Sequence, residues 1–261
     1  MPRVLIWMLL SLLPFNALAE TPEKRGLEIA READRRDQGF GNSTVELEMI
    51  LKNSQGQTSN RELRMLTLEV PEETAGDKAL IIFDRPGDIR GTALLTYTRI
   101  TEPDDQWLYL PALKRTKRIS SRNKSGPFVG SEFAYEDLAS QELAKYTYRF
   151  VGEELCDNVA CYKMERFPIY EGSGYSRQMT WIDKEAYRLR KIVSYDRKGS
   201  LLKTLSFKDY RQYLGTYWRA HDLTMENDQT GKSTRLLAKS YQFRTALNEA
   251  DFERGALGRL R

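Results

Sequence analysis

From Ser43 onward the chain keeps a two-residue rhythm. In STVELEMILK, Val45, Leu47, Met49 and Leu51 fall on one side and Glu46 and Glu48 on the other, the alternation of a strand with one buried face. The turn-forming NSQGQTSN leads into RELRMLTLEV and predicts a first hairpin. Similar runs follow at KALIIFD, GTALLTYTRI, QWLYLPAL, TKRIS, YTYRFVGEE, CYKMERF, YSRQMTWID, RLRKIVSYD, LLKTLSFKDYRQY, YWRAHDLTMEN and RLLAKSYQF. Turn signals such as RPGD, EPDD, DRKGS, YLGT and NDQTGK separate them. About a dozen strands joined by tight turns predict a mainly β antiparallel meander with a few helices.

Two segments break the rhythm. Pro22 to Asp37 has helix formers, acids early and bases late, and ends near Gly39 and Gly41, which predicts one short amphipathic helix. Lys124 to Tyr146 opens on Gly126-Pro127 and continues through Ser131, Glu132 and Asp137, which predicts a loop and one or two short helices inserted between strands and able to lie across one face of the sheet.

Some strands are apolar on both sides. In WLYLPALKRTKRI, Trp107 and Tyr109 alternate with Leu108 and Leu110, and four basic residues follow closely. Leu95, Tyr97, Trp107, Tyr109, Met179, Trp181, Leu223 and Met225 are accordingly expected on a common face lining a cavity, because a curved sheet of this size encloses more volume than its insertions fill. The basic run Lys114, Arg115, Lys117, Arg118, Arg122 and Lys124 has two readings: cations that keep a strand edge from aggregating, or a patch that docks on an anionic membrane surface or acidic partner.

The first residues set the compartment. Arg3, the apolar Val4 to Leu13 and the small-x-small Ala17-Leu18-Ala19 have the pattern of a secretory signal cleaved after residue 19. Glu20 rather than cysteine follows, so the expected product is a soluble periplasmic chain, one domain over residues 20–261. That segment carries 40 basic and 37 acidic residues, a net +3, too little to suggest nucleic acid. Cys156 and Cys161, with four residues between them on a hairpin, are expected to form a structural disulfide worth roughly 2 kcal/mol.

Catalytic chemistry finds little support. His221 alternates onto the face of Leu223 and Met225, as a satisfied strand histidine does, and GSGYS at Gly172 to Ser176 reads as a turn rather than a nucleophile elbow. No enzyme activity, metal or cofactor is expected.

QWLYLPALKRTKRI, FVGSEFAYEDL, CYKMERFP and MTWIDKEAYRLRKIVSYDRKGSLLKTLSFKDY together resemble the outer membrane lipoprotein-sorting family, relatives of the carrier LolA and its acceptor LolB, over Asp34 to Leu260. The resemblance implies a half-barrel of about eleven antiparallel strands, with helices plugging its concave side over an apolar cavity. It also implies lipid or lipoprotein acyl chains as cargo and transporters of the resistance-nodulation-division class as partners. The segment from Gly126 to Lys145, with Gly126, Phe128, Phe133 and Tyr135, is the expected lid, and a monomer is expected. The competing reading is a non-catalytic periplasmic adaptor that binds a transporter or envelope protein and carries no lipid.

Overall fold

The computed structural model describes residues 20–71 and 75–259; the signal predicted at residues 1–19 lies outside them. Thirteen strands form one antiparallel sheet: β1 (Asn42–Lys52), β2 (Thr58–Leu68), β3 (Ala75–Arg85), β4 (Ala93–Arg99), β5 (Asp105–Leu110), β6 (Arg115–Ile119), β7 (Tyr146–Cys156), β8 (Val159–Pro168), β9 (Tyr175–Asp183), β10 (Leu189–Asp196), β11 (Leu201–Tyr213), β12 (Tyr217–Asn227) and β13 (Ser233–Phe243). Their order is β6-β5-β4-β3-β2-β1-β13-β12-β11-β10-β9-β8-β7. The expected eleven strands are thus thirteen. The first strand pairs with the last, so two meanders merge, and β6 and β7, consecutive in sequence, become the opposite edges.

The sheet is open and curved. Val45, Leu47, Met49, Leu63, Ile81, Phe83, Leu94, Leu108 and Ile119 meet Ile192, Leu205, Met225 and Leu236 in one cluster. Side chains from ten strands converge in this way only on the inner side of a bent sheet. On the outer side, Leu80, Ile82, Ala93 and Leu95 are covered by Phe252 and Leu257, from the short turns that follow β13.

The helix α1 (Pro22–Asp37) forms where the sequence predicts it. Thr21 caps it by accepting the Lys24 N–H at 3.2 Å, Pro22 opens it, and Arg35 and Arg36 close it. Its Ile29 and Ala30 pack on Tyr146, Tyr148, Tyr162 and Met164. The helix lies close against edge strand β7: a β-carbon on Gly26 would come within 2.8 Å of the Phe150 nitrogen. At the other edge, β6 packs on β5 and on no other element to a comparable extent.

The crossing between the two edges runs through residues 120–145 and holds only 3-10 turns, at Ser121–Asn123, Phe128–Gly130, Tyr135–Leu138 and Leu143–Lys145. The helices expected here do not form. The run expected to reach Lys145 is cut into these short turns by extended backbone at Ser131, Ala134, Ala139 and Glu142, and Val129 and Gly130 before it are left-handed, φ 47° and 77°.

Candidate functional site

Residues 126–137 fold into a tongue. The Phe128 N–H donates to the Phe133 carbonyl at 2.7 Å, Ser131 N–H to the Phe128 carbonyl at 2.9 Å, and Tyr135 N–H to the Gly126 carbonyl at 3.2 Å. This miniature hairpin points its two phenylalanines into the inner cluster, where Phe128 is 0% and Phe133 2% exposed. Phe128 stacks on Phe83 with ring centres 5.5 Å apart and meets Tyr135 edge-on at 5.8 Å.

Both halves of the sheet hold the tongue. From one side, Arg61 donates to the Val129 carbonyl at 2.5 Å and the Gln106 amide to the Tyr135 carbonyl at 3.0 Å. From the other, the Asn227 amide donates to the Glu132 carboxylate at 2.7 Å, Lys203 Nζ to Asp137 Oδ2 at 2.7 Å, and Tyr175 Oη to Asp137 Oδ1 at 2.6 Å. Glu136 accepts from Tyr170, Ser173 and the Gly174 N–H; burial raises its pKa, and these donors oppose the rise. The seam is tight here: Gly172, at φ +87°, lies where a β-carbon would sit 2.4 Å from the Ser121 carbonyl oxygen.

The inner face is apolar toward β1–β5, and toward β7–β12 a polar row crosses it among apolar residues. Tyr148, Arg166, Gln178, Ser194, Lys203 and Asn227 sit opposite one another in register across six successive strands. The Arg166 Nε donates to Gln178 Oε1 at 2.8 Å, and the Gln178 amide donates to Ser194 Oγ at 2.9 Å. The Arg166 guanidinium lies over the Tyr146 ring at 4.6 Å.

The eight residues expected on a common face divide among three places. Leu223 and Met225 belong to the inner cluster. Leu95, Tyr97, Trp107 and Tyr109 lie on the outer side under the C-terminal turns, with the Tyr97 hydroxyl donating to the Phe252 carbonyl at 2.6 Å. Met179 and Trp181 pack with Cys156, Cys161 and Val193, and Lys191 Nζ lies 3.9 Å from the centre of the Trp181 ring. Pairing explains the division: Leu94 faces Leu108 and Leu95 faces Trp107, so when the first pair turns inward the second turns outward. The four lid residues, Gly126, Phe128, Phe133 and Tyr135, all lie in the tongue.

The basic run also divides. Lys114, Arg115, Lys117 and Arg122 are exposed and have no ion-pair partner among the described residues, whereas Arg118 pairs with Asp105 at 2.5 Å. Lys124 is only 2% exposed and lies 3.9 Å from Asp104, a carboxylate that also pairs with Lys145, so it does not belong to an exposed patch. The expected disulfide is not formed: Cys156 and Cys161 are buried free thiols, and the register sets Cys156 opposite Val159 and Cys161 opposite Glu154, a diagonal rather than a facing pair. His221 is satisfied. Its Nδ1 donates to the Ala238 carbonyl at 3.1 Å, which leaves Nε2 to accept from the Tyr213 hydroxyl at 2.7 Å.

Two depressions open on the surface, and both are polar. One of about 790 Å³ is lined by Glu48, Asn60, Glu62, Asp84 and Arg90 among others, and one of about 410 Å³ by Arg99, Glu102, Asp105 and Arg118 among others. No helix among the described residues is long and apolar enough to cross a membrane, and no cluster of His, Cys, Asp and Glu among them could hold a metal ion.

A LolA superfamily protein from Nitrosomonas europaea superposes with a TM-score of 0.70 at 20% identity, over 91% of this chain and 99% of that one, a likeness of fold. A DUF1329 family protein from Desulfovibrio piger matches with a TM-score of 0.86 at 29% identity, over 91% of this chain and 100% of the other. The protein belongs to the outer membrane lipoprotein-sorting protein domain family: a domain of that description from Vibrio parahaemolyticus is 52% identical with a TM-score of 0.88, over 90% of this chain and 99% of that one. A family model described as an uncharacterized protein matches residues 75–259. No curated protein matches the chain in sequence.

Proposed function

We propose that the protein is a non-catalytic periplasmic carrier, exported by its N-terminal signal, that shelters the acyl chain of a lipid or lipoprotein in the space the tongue now fills. It passes the chain toward the outer membrane, with a transporter of the resistance-nodulation-division class as its partner. The observation that carries this reading is that Phe128 and Phe133, the rings filling the centre of the hollow, belong to a crossing segment and not to the sheet. The interior can therefore exchange one apolar filling for another without unpairing a strand. Burying two phenylalanine side chains stabilises by about 1.5–3 kcal/mol each. An acyl chain of about 15 methylenes gains about 12 kcal/mol on leaving water, enough to outweigh them. The exposed Lys114, Arg115, Lys117 and Arg122 then serve to approach anionic membrane, each contributing on the order of 1 kcal/mol near the surface.

The filled interior and the unneutralised edge cations also suit an adaptor that binds an envelope protein and carries nothing. Extraction and mass spectrometry of gently purified protein, together with titration by a fluorescent fatty acid, separate the two. A carrier holds or takes up lipid. Absence of both bound lipid and uptake refutes the carrier and leaves the adaptor.

A further inference from the structure

We infer that the cargo is an anionic amphiphile and that the tongue occupies its site as a built-in substitute, with Asp137 in place of the acid head group and Phe128 and Phe133 in place of the chain. The inference rests on the carrier reading and adds the chemistry of the head.

The interior has the two-part character such a ligand needs. Its apolar part is the cluster around Phe83, Leu94 and Met225, and its polar part is the row from Tyr148 to Asn227. Buried polar residues in register across five strands, Tyr148 to Lys203, are costly to maintain in a core. A sheet that had only to pack would place apolar residues there.

Two cations stand in that row. Lys203, 5% exposed, is neutralised by Asp137 of the tongue. Arg166, 9% exposed, has no carboxylate partner among the described residues; Glu165 beside it points to the other face and pairs with Arg149 and Arg177. Apart from its stacking over the Tyr146 ring, Arg166 is engaged only through Nε, by Gln178, and its two terminal nitrogens have no hydrogen-bond partner among the described residues. An inward-facing guanidinium with its fork free is suited to a carboxylate or phosphate. An acid head that displaces Asp137 inherits Lys203 and the Tyr175 hydroxyl. One strand pairing separates Lys203 from Ser194, one more separates Ser194 from Gln178, and Arg166 faces Gln178, so the same row leads the head toward the free fork.

The test uses purified full-length protein and three ligands with the same chain: palmitate, hexadecyl phosphate and hexadecanol, each titrated against a bound dansyl fatty acid. The acids are expected to bind at least about tenfold tighter than the alcohol, the worth of a charge-assisted hydrogen bond. Whichever acid binds tighter identifies the head as carboxylate or phosphate. Arg166→Gln is expected to remove most of the acid preference and leave hexadecanol unchanged, with Arg166→Lys intermediate. Asp137→Asn, which weakens the substitute, is expected to raise the affinity for both acids. Should Arg166→Gln fail to fold, the Arg166→Lys and Asp137→Asn arms decide. Equal affinity for acid and alcohol, or acid affinities that neither variant changes, overturns the inference while leaving a carrier. Failure of all three ligands to bind removes the carrier and the inference together.

Discussion

Removing the Phe128 ring should loosen the tongue and improve lipid uptake, the opposite of what a core truncation does to function when the core is only structural. Phe128 is fully buried, stacks on Phe83 and meets Tyr135 edge-on. Truncation of such a ring to alanine costs about 3–5 kcal/mol. If the tongue releases as a local unit, that cost falls on its docking equilibrium, and a loss of about 3 kcal/mol raises the undocked fraction more than 100-fold. While the docked form still dominates, apparent affinity for an acyl chain rises by the same factor, because the ligand no longer competes with a well-seated ring. Titration of Phe128→Ala with a fluorescent fatty acid measures the gain. Hydrogen exchange across residues 124–145 reports the loosening and is expected to accelerate there while β1, β13 and β12 stay protected. Faster exchange in the tongue with uptake unchanged or weaker would refute the displacement argument, since the hollow would have opened without admitting a chain.

Stability should fall as pH rises from about 4 to about 7. Burial first, then the neighbouring Asp77, raises the Glu142 carboxyl to about 7, and burial raises Asp77 to about 6. Both native-state values lie above those of the unfolded chain, so the folded form holds more protons between the two sets of values, and stability is lost as pH climbs through that window, by up to about 1.4 kcal/mol per pH unit for each group. Urea melts at about pH 5 and about pH 8 check this, and Glu142→Gln should flatten the dependence; stability that is flat or rising in the unaltered protein contradicts the assignment. Reversing Lys114, Arg115 and Lys117 together to glutamate should abolish binding to phosphatidylglycerol vesicles at low salt and leave the melting temperature nearly unchanged, as these side chains are exposed and unpaired. Undiminished vesicle binding would leave the cations with edge protection alone.

The alternation from Ser43 onward carried the strands, and Thr21-Pro22 with late arginines carried α1, because both signals are local: a side-chain period and a cap. The direction of each face was not local. Leu94 and Leu95 are equally apolar, and only pairing with Leu108 and Trp107 decides which enters the hollow, so a two-sided strand such as QWLYL left the cavity set ambiguous. Trp107 and Tyr109 were placed wrongly for a further reason: the C-terminal turns that cover them have little apolar periodicity, and Phe252 and Leu257 are the two large apolar residues between Leu247 and Leu260. The polar row was visible as isolated letters, Arg166 in CYKMERF and Gln178 in YSRQMTW, each an apparent lapse in an apolar strand. Such lapses become a signal once they align across neighbouring strands, which needs the register.

The topology makes a crossing segment unavoidable and leaves its content free. Pairing β1 with β13 sends β6 and β7 to opposite edges, so the chain between them must traverse the opening that a closed barrel would seal with strand hydrogen bonds. A minimal strap could span it over the surface. Instead the segment turns inward at Gly126, reverses through two left-handed residues at Val129 and Gly130, and leaves again past Glu136, Asp137 and Lys145. Its ends are fixed while its middle is held by side chains that a ligand can replace: a stacked ring, and carboxylates on Lys203, Tyr170 and Tyr175. Gly172 and Gly174 abut Ser121 and Ser125 with no room for a β-carbon, so the β8–β9 loop clamps the segment that leads into the tongue. The part that must give way to a ligand is therefore the middle, between Gly126 and Asp137, and not the entry into it.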